Sequence, residues 1–260
     1  MQLKILGCSG GISAGRRTTC YGIGDDILLD CGTGVGALER DDMCHIRHVF
    51  LTHSHVDHVL GLPLLLDTVF DCVTKPLIVH GQPETITALK EHILNWTIWP
   101  DFAELPNPHN PVLAYETMQP GDTVEVEGYA FTMVRVSHVV PTVAYIVERD
   151  GRSFCFSGDT GPNDTLWAAL NARDSLDLLL IECAFPNSHA ELCRLAKHYC
   201  PATLAEDLEK LRHRPTVVIT HLKPGGEETT WRECQEEIRG FELVRAKNDQ
   251  VYEIGVPATP

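Results

Sequence analysis

Basic residues are scarce and scattered in this chain. Lys and Arg number 21 against 36 Asp and Glu, giving a formal net charge of −15, and Arg16-Arg17 is the only adjacent basic pair. A surface of that sign repels a polyanion, and the clustered basic face of a protein built to hold long RNA or DNA is missing. Long apolar runs are missing too, since none approaches membrane-spanning length. The amino terminus does not read as a signal peptide, because Gly7 and Gly10-Gly11 interrupt the strand-like residues 3–6 too early for an h-region. No CxxC pair occurs among the ten cysteines. They are scattered, and Cys8, Cys31, Cys72, Cys155 and Cys183 lie in or beside apolar stretches, where cysteine behaves as a small hydrophobe. That usage fits a reducing compartment, so the cytoplasm is the expected location. Asp30-Cys31-Gly32-Thr33-Gly34 lacks the spacing and the lysine of a P-loop, and nucleotide binding through it is not expected.

What remains suffices for a sizeable core. The chain has 260 residues, of which 43% are hydrophobic and 22% charged, a size common for one α/β domain, here taken as 1–260. Strands are predicted at 3–6, 18–23, 27–29, 46–51 and 76–80, then at 123–126, 129–136, 143–148 and 152–156. Asp150-Gly151 makes a hairpin turn between the last two. Further strands are predicted at 176–181, 216–220, 242–244 and 250–254. Helices are predicted at 35–40, 84–94, 164–170, 190–198, 202–213 and 229–239. The proline-rich stretch 96–120 has little periodicity and reads as a long loop, either a lid over a pocket or surface padding. Two strand-rich halves, each followed by helices, predict an α/β fold with four layers. Two mixed β-sheets pack on each other with helices outside, an αββα sandwich.

The chemistry is concentrated in Thr52-His53-Ser54-His55-Val56-Asp57-His58, between the apolar runs 46–51 and 59–70. A strand there delivers its C-terminal end, the usual place for a site in an α/β fold. On a turning loop His53, His55 and His58 can converge while Asp57 faces a neighbouring point, and zinc takes such imidazole and carboxylate ligands. A solvated polar turn is the plain alternative, and the buried flanks weigh against it. Three later residues share the context: His138, Asp159 and His221 each follow an apolar strand. A lone strand-end histidine is more often structural, but together they complete two sets. His53, His55 and His138 suit one metal; Asp57, His58 and His221 suit a second; Asp159 can bridge them. Two cations roughly 3.5–4 Å apart clamp the attacking and leaving oxygens of an in-line displacement. Asp30 and Glu182 follow strands on the same side, where they either accept N–H bonds from ligand imidazoles or cap strand ends. Ser157 and Thr160 are candidates for orienting the Asp159 loop. His45, His48, His80, His92, His109, His189 and His213 have no such context and read as structural or surface residues.

This arrangement resembles the metallo-β-lactamase superfamily over nearly the whole chain and in that superfamily's order. Within it, the chain is similar to the class II 3′,5′-cyclic nucleotide phosphodiesterases. Four passages carry that similarity: His58-Val59-Leu60-Gly61-Leu62, Ser157-Gly158-Asp159-Thr160-Gly161-Pro162, Ile181-Glu182-Cys183 and Thr220-His221-Leu222-Lys223-Pro224. Where that family tends to have Gly-His-Leu-Thr/Ser-Pro, this chain has Lys197-His198-Tyr199-Cys200-Pro201 and keeps only the His and Pro. The resemblance implies a hydrolase with two Zn2+ ions, Mn2+ or Fe being alternatives, in which a metal-bridging hydroxide attacks phosphorus. Its expected partner is a small phosphodiester, cyclic AMP or cyclic GMP, with no long nucleic acid and no membrane; a homodimer is compatible. Asp57 and His198 are the catalytic candidates, His198 by analogy as proton donor to the departing ribose 3′ oxygen, or else a polar residue near a helix end. The rivals are a tRNA 3′-processing nuclease, a thioester, lactone or β-lactam hydrolase, and a non-catalytic metal-binding module. The acidic balance weighs against the first, and the completeness of the ligand set against the last.

Overall fold

The computed structural model describes residues 1–255; the last five of the expected 1–260 lie outside the described residues. The first sheet is built from β1 (Gln2–Gly7), β2 (Cys20–Ile23), β3 (Ile27–Leu29), β4 (His48–Phe50), β5 (Leu77–Gly81) and β6 (Leu113–Thr117). The second holds β7 (Thr123–Val126), β8 (Tyr129–Arg135), β9 (Val143–Arg149), β10 (Arg152–Phe156), β11 (Leu178–Glu182), β12 (Thr216–Thr220) and β13 (Glu242–Arg245). The last strand, β14 (Val251–Glu253), pairs with β1 and makes the first sheet seven-stranded like the second. The strands predicted at 242–244 and 250–254 thus end up in different sheets, each at an edge.

Alternation along the strands sets the layers. On β9, Val143, Tyr145 and Val147 point into the core between the sheets, with Phe50, Phe131 and Phe156. Ala144 and Ile146 point the other way. The outer face of the first sheet is covered by α1 (Arg40–Met43), α2 (Val56–Val59), α3 (Gly61–Thr68) and α4 (Pro83–His92), through Leu62, Leu65, Leu66 and Leu89. The outer face of the second packs on α5 (Thr165–Asn171), α7 (Pro201–Leu208) and α8 (Glu227–Glu237), through Trp167, Leu170, Leu204 and Leu208, and α6 (Ala190–Ala196) precedes α7 in the chain. Fully burying side chains of this size contributes about 1.5–3 kcal/mol each. The four-layer sandwich is the one expected.

Several local expectations are corrected. Stretch 96–120 is not all loop, because 113–117 forms β6 on the first sheet's edge, paired in parallel with β5. Helix 202–213 stops at Leu208; its apolar periodicity runs on because Leu211 is buried from a turn, not from the helix. Cys72 is not a free small hydrophobe. It forms a disulfide with Cys44, 28 residues away, since α1 and the end of α3 meet on one face with the two Cα atoms 5.9 Å apart. The other eight cysteines are free, seven of them buried. Among the described residues, no helix is long and apolar enough to cross a membrane.

Candidate metal centre

β3, β4 and β5 run parallel, and so do β10, β11 and β12, so their C-terminal ends emerge at common edges. Those ends carry Asp30, the His53 loop, Asp159, Glu182 and His221. β8 runs in the direction of β10 through two antiparallel pairings and delivers His138 beside them. Two bonds hold the sheets together beneath the site. Val143 N–H donates to the Thr52 carbonyl (3.1 Å) and Tyr145 Oη to that of Leu51 (3.0 Å). Gly158 lets the Asp159 loop close onto this seam: its φ is +59°, and a Cβ there would lie 2.7 Å from the Val143 carbonyl oxygen. Asp30 (φ 54°) and His221 (φ 59°) adopt the left-handed region despite carrying a Cβ, a strain typical of functional sites.

The structure brings all seven expected residues together. His53, His55, His138 and Asp159 offer donor atoms within 4.8 Å of one another, and so do Asp57, His58 and His221. Asp159 stands between the groups, 3.3 Å from His58 Nε2, 3.2 Å from His221 Nε2 and 3.8 Å from His53 Nε2. Each of those three nitrogens is buried and lacks a hydrogen-bond partner. A buried lone pair facing a carboxylate oxygen is costly unless a cation or proton lies between them. The donor set is therefore one that cations would satisfy, and its N/O composition suits zinc.

The opposite side of each ring sets its tautomer. His58 Nδ1 donates to Asp30 Oδ2 (2.6 Å), and His138 Nδ1 to the Lys197 carbonyl (3.0 Å). Thr52 donates through both N–H and Oγ1 to Asp30, leaving its hydroxyl oxygen to accept from His53 Nδ1 at 2.9 Å. With Nδ1 carrying the hydrogen, Nε2 of His53 and His138 keeps its lone pair for the interior. Burial pushes His53 and His221 well below the ordinary imidazole range and His138 down to about 4, so all three are neutral at neutral pH. For His58 burial works the same way, but Asp159 and Asp30 outweigh it and hold the ring protonated. A cation entering there would displace that proton. Burial also opposes ionisation of Asp159, yet the facing His221 and His58 keep its carboxyl well below the usual range.

His198 belongs to the same site. Its Nδ1 donates to Glu182 Oε1 (2.6 Å), its ring lies 4.9 Å from His138, and it falls within reach of Asp159 and His221. Glu182 also accepts from Thr160 N–H (2.9 Å), and Ser157 Oγ accepts from Glu182 N–H (3.2 Å). Burial disfavours charge on His198, but Glu182 outweighs it and raises its proton affinity. Sequence reasoning missed Thr52, Lys197 and Lys223. Lys223 Nζ donates to the Gly10 carbonyl (2.6 Å) and lies 3.7 Å from Asp57 Oδ2. Its place two residues after His221 was the available signal. Among the residues set aside, His48 and His80 bond each other (3.0 Å) on β4 and β5, away from this cluster.

Residues 26–222 match the family described as Beta-lactamase superfamily domain. The chain belongs to the β-lactamase superfamily. As a member it is a metal-dependent hydrolase, and its His/Asp clusters are compatible with metal binding. Among related superfamily proteins, a Yersinia pestis protein named probable 3′,5′-cyclic-nucleotide phosphodiesterase is 26% identical over 275 aligned residues, covering 86% of this chain and 78% of its own length. A ribonuclease Z of Haloarcula marismortui is 23% identical over 282 residues, covering 85% of this chain and 86% of its own. Unliganded yeast PDE1 superposes with a TM-score of 0.82 at 18% identity, over 96% of this chain and 98% of its own, a likeness of fold.

Proposed function

We propose that this β-lactamase superfamily hydrolase is a phosphodiesterase that opens 3′,5′-cyclic nucleotides to 5′-nucleotides with two bound metal ions. Zinc fits the donor set best, and manganese or iron can occupy His/Asp sites of this kind. His53, His55 and His138 would hold one ion and Asp57, His58 and His221 the other, with Asp159 shared. Metal there would neutralise phosphoryl oxygens and lower the pKa of a bound water to about 7. The protein's own contribution to the leaving group is His198. Glu182 occupies its Nδ1 and raises its proton affinity, so Nε2 holds a proton to give to the ribose 3′ oxygen. The observation that carries the reading is this pairing of a shared-carboxylate cluster with a carboxylate-held histidine beside it. The Yersinia relative's name adds support for the substrate class.

A ribonuclease Z activity is the second reading, favoured by the Haloarcula relative. The net charge of −15 supports the small substrate over a polyanion. The cytoplasm is the compartment we propose, on the strength of eight free cysteines against one disulfide. His198→Ala tests the proton-donor role. Turnover of a cyclic nucleotide is expected to fall roughly 10²–10⁴-fold with metal content unchanged. Near-wild-type turnover would remove His198 from the chemistry.

A further inference from the structure

We infer that Lys197 is a positioning residue that clamps His138 into the centre, an inference resting on the metal-site reading above. Lys197 ends α6 with φ at 52°, the left-handed region. A residue bearing a Cβ is disfavoured there, and helix ends of this shape favour glycine. The left-handed turn places the N–H groups of Lys197 and His198 on one acceptor, the Cys193 carbonyl. It also turns the Lys197 carbonyl toward His138, where it accepts from Nδ1 at 3.0 Å. The side chain completes the grip, because Lys197 Nζ donates to the His138 carbonyl, again at 3.0 Å.

Each residue thus holds the other through a different group, and a glycine could supply only one of the two bonds. A carbonyl oxygen only accepts, so His138 Nδ1 carries the hydrogen and Nε2 keeps the lone pair, 3.3 Å from His55 Nδ1. The ammonium fixes the backbone from which that ring projects. The Asp159 loop seats against the same turn: a Cβ on Gly161 would lie 3.2 Å from the Lys197 carbonyl carbon, and Gly161 N–H donates to the Ser137 carbonyl (2.8 Å). Three loops, carrying His138, Asp159 and His198, therefore meet at Lys197. Outer partners that set ring orientation and tautomer in this way influence metal affinity by roughly 10–100-fold.

Three variants of the full chain separate this role from general stability. Lys197→Met keeps length and loses the ammonium; Lys197→Arg keeps a donor; Lys197→Gly releases the backbone and loses the ammonium. Zinc affinity is measured by competition with a chromophoric chelator, alongside the absorption spectrum of the cobalt(II)-loaded protein and the melting temperature of the metal-free protein. Lys197→Met is expected to weaken one of two zinc affinities by about 10-fold or more and alter the cobalt spectrum, with Lys197→Arg restoring most of both. Lys197→Gly should melt no lower than wild type when metal-free, yet bind zinc as weakly as Lys197→Met. Wild-type zinc affinities and cobalt spectrum in Lys197→Met would overturn the inference. So would equal weakening of both sites in step with a lower melting temperature. A wild-type chain that takes up no zinc would instead overturn the metal-centre reading and this inference with it.

Discussion

At the scale of single residues, the pair His198 and Glu182 has the sharpest consequence. Glu182 is fully buried and accepts from His198 Nδ1, raising the ring's affinity for its proton. If His198 is the proton donor proposed above, the protonated ring is the form that donates, so activity is expected to hold above the usual imidazole range and to fail as pH rises through the raised value. Glu182→Gln removes the charge, and the alkaline limb of kcat is expected to move to lower pH; an unmoved limb would separate that limb from His198. The residues around this pair differ in how legible they are. His53, His138, Asp159 and His221 are readable because each follows an apolar strand, and His55, Asp57 and His58 because they cluster close behind His53. Thr52, Lys197 and Lys223 are not, since their roles depend on where a backbone carbonyl or a hydroxyl from a distant strand comes to lie. Thr52 mediates between Asp30, 22 positions away, and its own neighbour His53, and no spacing rule announces that.

At the scale of elements, periodicity revealed most strands because each sheet is buried on both faces, and it failed where burial comes without regular structure. Leu211 extends the apolar pattern of α7 past its end, and Lys197 stops α6 by its backbone rather than by composition. β6 was hidden in a proline-rich stretch; β14 was legible as a strand at 250–254, but its return to a sheet left long before was not. α7 is tied down through Asp207, which accepts from Tyr199 Oη (2.6 Å), Trp167 Nε1 (3.0 Å) and Asn163 N–H (3.1 Å). Burial pushes its carboxyl up, but Lys210, Tyr199 and Trp167 outweigh that and hold it below the ordinary range. Its stabilisation is therefore present above the unfolded carboxyl pKa of about 4 and lost as pH falls through the lower folded value. Asp207→Asn is expected to cost about 1–3 kcal/mol at neutral pH and to flatten that acid loss, as urea unfolding at several pH values would show. The Cys44–Cys72 bond closes a loop containing β4, the histidine loop, α2 and α3, and its pairing was invisible at a separation of 28. Replacing both with serine is expected to lower unfolding free energy by about 3 kcal/mol, and an unchanged urea midpoint would show that the bond does not restrain the unfolded chain.

At the scale of the whole molecule, one edge of a sandwich gathers nearly all the chemistry while the remainder carries a strongly acidic balance. The fold class was legible because two strand-rich halves with following helices leave few other ways to bury both sheets. Substrate choice was not, because it lies in loops whose composition is common to several hydrolases. Charge is the one global property that discriminates. A chain at −15 pays a salt-dependent repulsion on approaching tRNA that a nucleotide with a single phosphate largely avoids. The most direct measurement is turnover by the zinc-loaded protein across one panel: cyclic AMP, cyclic GMP, bis(p-nitrophenyl) phosphate, a pre-tRNA and a thioester, with Asp159→Ala beside it. Hydrolysis of a cyclic nucleotide to the 5′-nucleotide is expected, abolished by chelation and by Asp159→Ala. Cleavage of the pre-tRNA or the thioester with both cyclic nucleotides untouched would contradict it.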